Sequence, residues 1–223
     1  MSSEDLPIHY GVVLFPGFQA LDVFGPIDAI NTLARYKKIE FSIIAATLDP
    51  VSTNHAPLFP GQEAKWNPHG SNCGQSILPT HTFDSPPDNL EVLLVPGGAG
   101  TRSPQAYEPV VEFIKKTFPS LRYLLTICTG SGLVARSGLL DGRRATTNKR
   151  AWDDVITWRE QVNWIRKARW VDDGNIWTSS GISAGIDMML AFIGHIYDEE
   201  LATTLADRLE YVRSGSWDDD PFA

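Results

Sequence analysis

Three continuous apolar runs constrain this chain more than any other feature. HYGVVLFP (residues 9–16), LEVLLVPGG (90–98) and LRYLLTI (121–127) lack the polar alternation of a strand with one wet face. A strand that is apolar on both faces needs helices above and below it, so the runs predict a layered α/β domain rather than a helical bundle. All are shorter than the roughly 20 residues that a membrane-spanning helix requires.

The intervening segments supply those helices. Leu21, Phe24, Ile27, Ile30 and Leu33 recur at helical spacing, with Gly25 and Pro26 predicting that the regular helix begins there. FSIIAA (41–46) reads as a further strand, and Val110, Phe113 and Ile114 as a short helix. After Cys128, Leu133, Val134 and Leu140 mark an apolar helical side that Gly138 ends. ARWVDDGNIWTSS predicts a hairpin turning at Asp173 and Gly174. From near Ser183, two closing helices follow, the second capped by Asp198. Residues 49–79, rich in Pro, Gly, Asn and Gln, show little periodicity and are expected as an insertion that caps something. A length of 223 residues fits one domain, 1–223, without repeats.

Charge and cysteine usage narrow the partners. With 19 basic against 27 acidic residues the formal charge is -8, which disfavours a broad nucleic-acid surface and points to a small molecule or a protein. The opening MSSEDLPIHYGVVLF has no basic region before its apolar run, so no secretory signal is read. The two cysteines, Cys73 and Cys128, form no disulfide framework, and a reducing, cytoplasmic location is expected. Neither GxGxxG nor GxxxxGK[ST] follows the strand at 90–98, and His69 with Cys73 lacks a second ligand pair, so no cofactor and no metal are expected.

Chemistry concentrates at LLTICTGSGLVARSGLL (124–140), where a lone cysteine stands between a strand and a glycine-rich helical pattern. A thiolate there would be stabilised by free backbone N–H groups, and Thr129, Gly130, Ser131 and Gly132 let a substrate approach closely; the same features suit a buried, silent thiol. Asp22, set among Leu21, Val23 and Phe24, is the leading proton carrier, because apolar surroundings raise a carboxyl pKa; a helix cap or a surface charge is the alternative. VPGGAGT (95–101) ends a strand in paired glycines whose amides suit an oxyanion or merely a turn. Arg143, Arg144, Lys149 and Arg150 read as a solvated basic face, and Trp152, Trp158, Trp164 and Trp170 as packing or dimer-contact groups or a pocket wall.

LFPGFQALDVFGP, LLVPGGAGT, LLTICTGSGLVARSGLLDGRRATT and IWTSSGISAGIDMML, in this order, resemble the ThiJ/PfpI superfamily over most of residues 8–210. The resemblance implies a layered sandwich similar to a class I glutamine amidotransferase domain. It also implies that Cys128 is the nucleophile, Asp22 the acid beside its sulfur, and Gly98 and Thr129 anion-binding elements. Gly181 and Ile182 would line the Cys128 pocket. Thr129 after the cysteine, with the aspartate of LDVFGP, looks like the isocyanide-hydratase branch, which implies a small electrophilic substrate and a homodimer. Asn148 departs from the His that this branch often carries after the paired threonines, and none of His9, His55, His69, His81 and His195 restores a Cys–His pair. His55 and His69 would reach the site only if their segment folds over it as a lid. Two other functions remain open on these residues: cofactor-free conversion of a 2-oxoaldehyde, and an oxidation-sensing or interaction role for Cys128.

Overall fold

The computed structural model describes residues 6–223. Its main sheet is built from β1 (His9–Val13), β2 (Glu40–Ala45), β3 (His81–Thr82), β4 (Val92–Val95), β5 (Tyr123–Thr126), β6 (Trp170–Asp173) and β7 (Ile176–Ser179). Across the sheet the order is β6-β7-β5-β4-β1-β2-β3, with every pairing parallel except the β6–β7 hairpin. The apolar runs form its centre: β1 and β4 are buried along their whole length, and Leu93, Leu94, Leu124 and Leu125 are fully enclosed. Each such leucine contributes roughly 2 kcal/mol relative to an exposed side chain.

Helices α1 (Ala20–Leu33), α4 (Ala184–Ile196) and α5 (Glu199–Arg208) pack together as one layer, and α2 (Pro104–Thr117) packs on α3 (Gly130–Arg136) as the other. This is the α/β architecture that two-faced apolar strands demand. Asp198 caps α5 as expected, its Oδ1 accepting the Leu201 N–H at 2.6 Å.

Three expectations are corrected. Helix α1 starts at Ala20, five residues before Gly25, and runs through Pro26. A missing proline N–H removes one bond at the Asp22 carbonyl, while burial of Val23, Ala29, Ile30 and Leu33 holds the rest of the helix. Helix α2 is longer than its apolar core suggested, because Pro104 and a polar outer face extend it. Lys149 turns inward instead of joining a solvated basic face.

Residues 49–79 cap the end of β1. Val51–Ser52 pairs antiparallel with Ser76–Ile77, and a short helix at Glu63–Trp66 lies between them. The Gly17 N–H donates to Ser52 O at 2.8 Å, and Phe59 stacks on Trp66. His55 faces Trp66 O at 2.9 Å and His69 is exposed; the hydrogen bonds at Cys128 and Asp22 come from other segments.

Candidate active site

Strands β5, β4 and β1 lie side by side, and the segments leaving their C-terminal ends meet. The chain leaving β5 reaches Cys128, the one leaving β4 reaches Gly97 and Gly98, and the one leaving β1 turns into α1, whose first turn carries Asp22. Ligand sites of open α/β sheets occupy this edge.

Cys128 occupies a strained elbow. Its φ of +58° is left-handed, a conformation costing an L-residue roughly 1–2 kcal/mol. Neighbouring bonds hold it there: Ile127 N–H donates to Val95 O at 2.9 Å, and the Cys128 carbonyl accepts the Ser131 and Thr147 hydroxyls at 3.2 and 3.1 Å. The side chain is buried, with 6% of its surface exposed.

Asp22 is fully buried. The Gly97 N–H donates to its Oδ2 at 2.8 Å, while Oδ1 closes no hydrogen bond of ordinary geometry. Position 97 admits no side chain, since a Cβ would stand 2.6 Å from the Thr129 nitrogen and 3.0 Å from Asp22 Oδ2. Burial raises the Asp22 pKa from 3.8 to about 7, against the opposing pull of the Gly97 N–H and the Cys128 thiol. Burial also pushes the Cys128 thiol far above its ordinary range, and the Asp22 charge adds to it. The Thr129 N–H, the Asn148 amide and the Thr129 hydroxyl pull it down without prevailing. The resting site is therefore a thiol beside a carboxyl that gives up its proton near neutrality, not the free thiolate suggested by a helix terminus alone.

Thr129 links the glycine turn to the sulfur. The Gly98 N–H donates to Thr129 Oγ1 at 3.1 Å, and Gly98, at φ +130°, has the Gly17 carbonyl where a Cβ would stand. Gly98 thus acts at the site through Thr129.

Asn148 is the neighbour that sequence marked only as a departure. Its Nδ2 lies 3.1 Å from Cys128 Sγ, and its Oδ1 accepts the Ala151 N–H at 3.1 Å, which fixes the amide with its donor toward sulfur. On its other side Asn148 joins Gly181 and Ile182 in lining a cavity of about 480 Å³. Lys149, Asp220 and Phe222 also line it, and no local sequence pattern pointed to them. A buried lysine has a local signature only in hindsight, because its carboxylate partner lies 71 positions away.

The tryptophans serve mainly as packing. Trp152 meets Trp164 edge to face at 6.3 Å, and Trp158 lies where a side chain at Gly132 would be.

Comparison with known proteins identifies what the chain is similar to. The DJ-1/PfpI family model matches residues 11–195. The isonitrile hydratase of Pseudomonas putida is 33% identical over 213 residues, covering 96% of this chain and 82% of that protein. The HTH-type transcriptional regulator GbdR of Pseudomonas aeruginosa is 31% identical over 140 residues, covering 63% of this chain and 37% of the regulator. Among solved structures, a ThiJ/PfpI family protein from Pseudomonas syringae superposes with a TM-score of 0.74 at 26% identity, covering 95% of this chain and 78% of that one.

Proposed function

The chain belongs to the DJ-1/PfpI family, and from that premise we propose that it is a cysteine-dependent enzyme hydrating an isocyanide to an N-substituted formamide. One observation carries the proposal: a buried Asp22 carboxyl, poised near neutrality, stands beside a buried thiol on a strained elbow.

In the first step Asp22 takes the Cys128 proton as sulfur bonds to the terminal carbon of the isocyanide. Asp22 then returns that proton to the same carbon, leaving a thioimidate, Cys–S–CH=N–R. Water adds across the C=N bond, its oxygen to carbon and a proton to nitrogen. The tetrahedral adduct collapses with cleavage of the C–S bond; its hydroxyl proton returns through Asp22 to sulfur, releasing R–NH–CHO. The Thr129 N–H and the Asn148 amide orient the polar intermediates, with Gly98 holding Thr129 in place.

The test is product analysis by mass spectrometry for wild type and Cys128→Ser, each given a small isocyanide panel and methylglyoxal. The proposal expects Cys128-dependent formamide. Lactate without formamide would instead identify the glyoxalase reaction, which uses the same nucleophile. The similarity to the transcriptional regulator GbdR favours a third, non-enzymatic reading, oxidation sensing or an interaction role, and neither product together with a stable oxidised Cys128 would identify it.

A further inference from the structure

The C-terminal segment returns to the candidate active site through a series of anchors. The Ser214 N–H donates to Asp187 Oδ1 at 2.8 Å, and the Trp217 carbonyl accepts the Arg169 N–H at 2.6 Å. Next comes Asp220. Its Oδ2 accepts the Ser180 hydroxyl at 2.6 Å and lies 3.3 Å from Lys149 Nζ, with only 4% of the lysine side chain and 1% of the aspartate side chain exposed. Nζ also donates to Ala168 O at 2.8 Å and lies 2.9 Å from Thr146 Oγ1, so the buried cation is well satisfied. Asp220 Oδ1 accepts the Phe222 N–H at 3.0 Å, which fixes the next turn of chain.

The last anchor places Phe222 in the lining of the cavity that also includes Leu21, Ile182 and Asn148, the residue whose amide reaches Cys128 Sγ at 3.1 Å. Both Phe222 and Leu21 are exposed apolar side chains at this rim, 72% and 44% accessible. A buried ion pair joins Lys149, one residue beyond the sulfur's amide donor, to Asp220, two residues before that ring.

We infer that the Lys149–Asp220 latch holds Phe222 as the outer wall of a chamber for the apolar substituent on the substrate nitrogen. Lys149 and Asp220 are positioning residues, and Phe222 sets how bulky that substituent can be. The inference rests on the isocyanide reading for its substrate, whereas the wall itself is tested separately by how readily reagents of different bulk reach Cys128.

The experiment therefore has two arms, run on wild type, Phe222→Ala, Phe222→Trp and Asp220→Asn. One arm measures kcat/KM for a bulky and a small alkyl isocyanide. The other measures labelling of Cys128 by N-cyclohexylmaleimide and N-methylmaleimide, read by peptide mass spectrometry, with exposed Cys73 as the internal reference. In both arms the bulky-to-small ratio is expected to rise on the order of tenfold in Phe222→Ala and Asp220→Asn, and to fall in Phe222→Trp. If Asp220→Asn fails to fold, the two Phe222 variants carry the test by their opposite signs. A shifted labelling ratio without isocyanide turnover would support the wall and defeat the hydratase reading. Unchanged ratios in both Phe222 variants, in either arm that gives a signal, would overturn the wall.

Discussion

Burying Asp22 makes opposite demands on stability and on the proton transfer proposed for it. In the unfolded chain its proton leaves near 3.8, whereas in the fold it is held to about 7. Between those values the folded state binds more protons, so stability falls as pH rises through this window, and the loss is complete above pH 7. The span of about three units corresponds to roughly 4 kcal/mol. Asp22→Asn is thus expected to be more stable than wild type at pH 8, with the advantage vanishing toward pH 4; urea unfolding at the two pH values measures it. Activity moves the other way. The rate constant kcat/KM should climb with pH through about 7 as the carboxylate forms, and Asp22→Asn should lose roughly 100-fold to 10,000-fold. A variant as active as wild type would reduce Asp22 to a structural role. At this scale the apolar neighbours of Asp22 and the glycines that follow Cys128 drew attention to both residues, and the fold brings them together. The Asn148 contact was not legible, because nothing in RRATTNKRAW says which way that side chain turns.

Among the elements, the apolar runs at β1, β4 and β5 were readable because a strand covered on both faces leaves a local pattern. The β6–β7 hairpin and the cap on α5 were readable for the same reason, since their turn and capping residues act within a few positions. What local patterns could not reveal were long-range polar joints. Asp187, in the first turn of α4, accepts Arg169 Nε at 2.7 Å, the Tyr211 hydroxyl at 3.0 Å and the Ser214 N–H at 2.8 Å. It ties that helix to the chain entering β6 and to the C-terminal segment, and only 2% of it is exposed. Removing one partner of a buried pair leaves the other uncompensated, so Asp187→Ala is predicted to lower unfolding free energy by about 3 kcal/mol. Chemical denaturation would show it, and a change within experimental error would mean that solvent satisfies Arg169.

Across the whole molecule, helix layers enclose the mixed sheet, and the candidate site lies where three neighbouring strands deliver their loops to one edge. The layered architecture follows from buried strands, whereas the cavity lined by Asn148 also takes Asp220 and Phe222 from a C-terminal segment with no periodicity of its own. Among the described residues no helix is long and apolar enough to cross a membrane. The proposed hydration turns on a covalent bond between Cys128 and the isocyanide carbon. Its most direct test is rapid acid quench of wild-type protein during turnover, followed by peptide mass spectrometry of the segment around Cys128. The thioimidate predicts a mass gain equal to that of the intact isocyanide on Cys128, appearing before formamide and absent from Cys128→Ser. Formamide released at an undiminished rate by Cys128→Ser, with no such adduct in wild type, would contradict it.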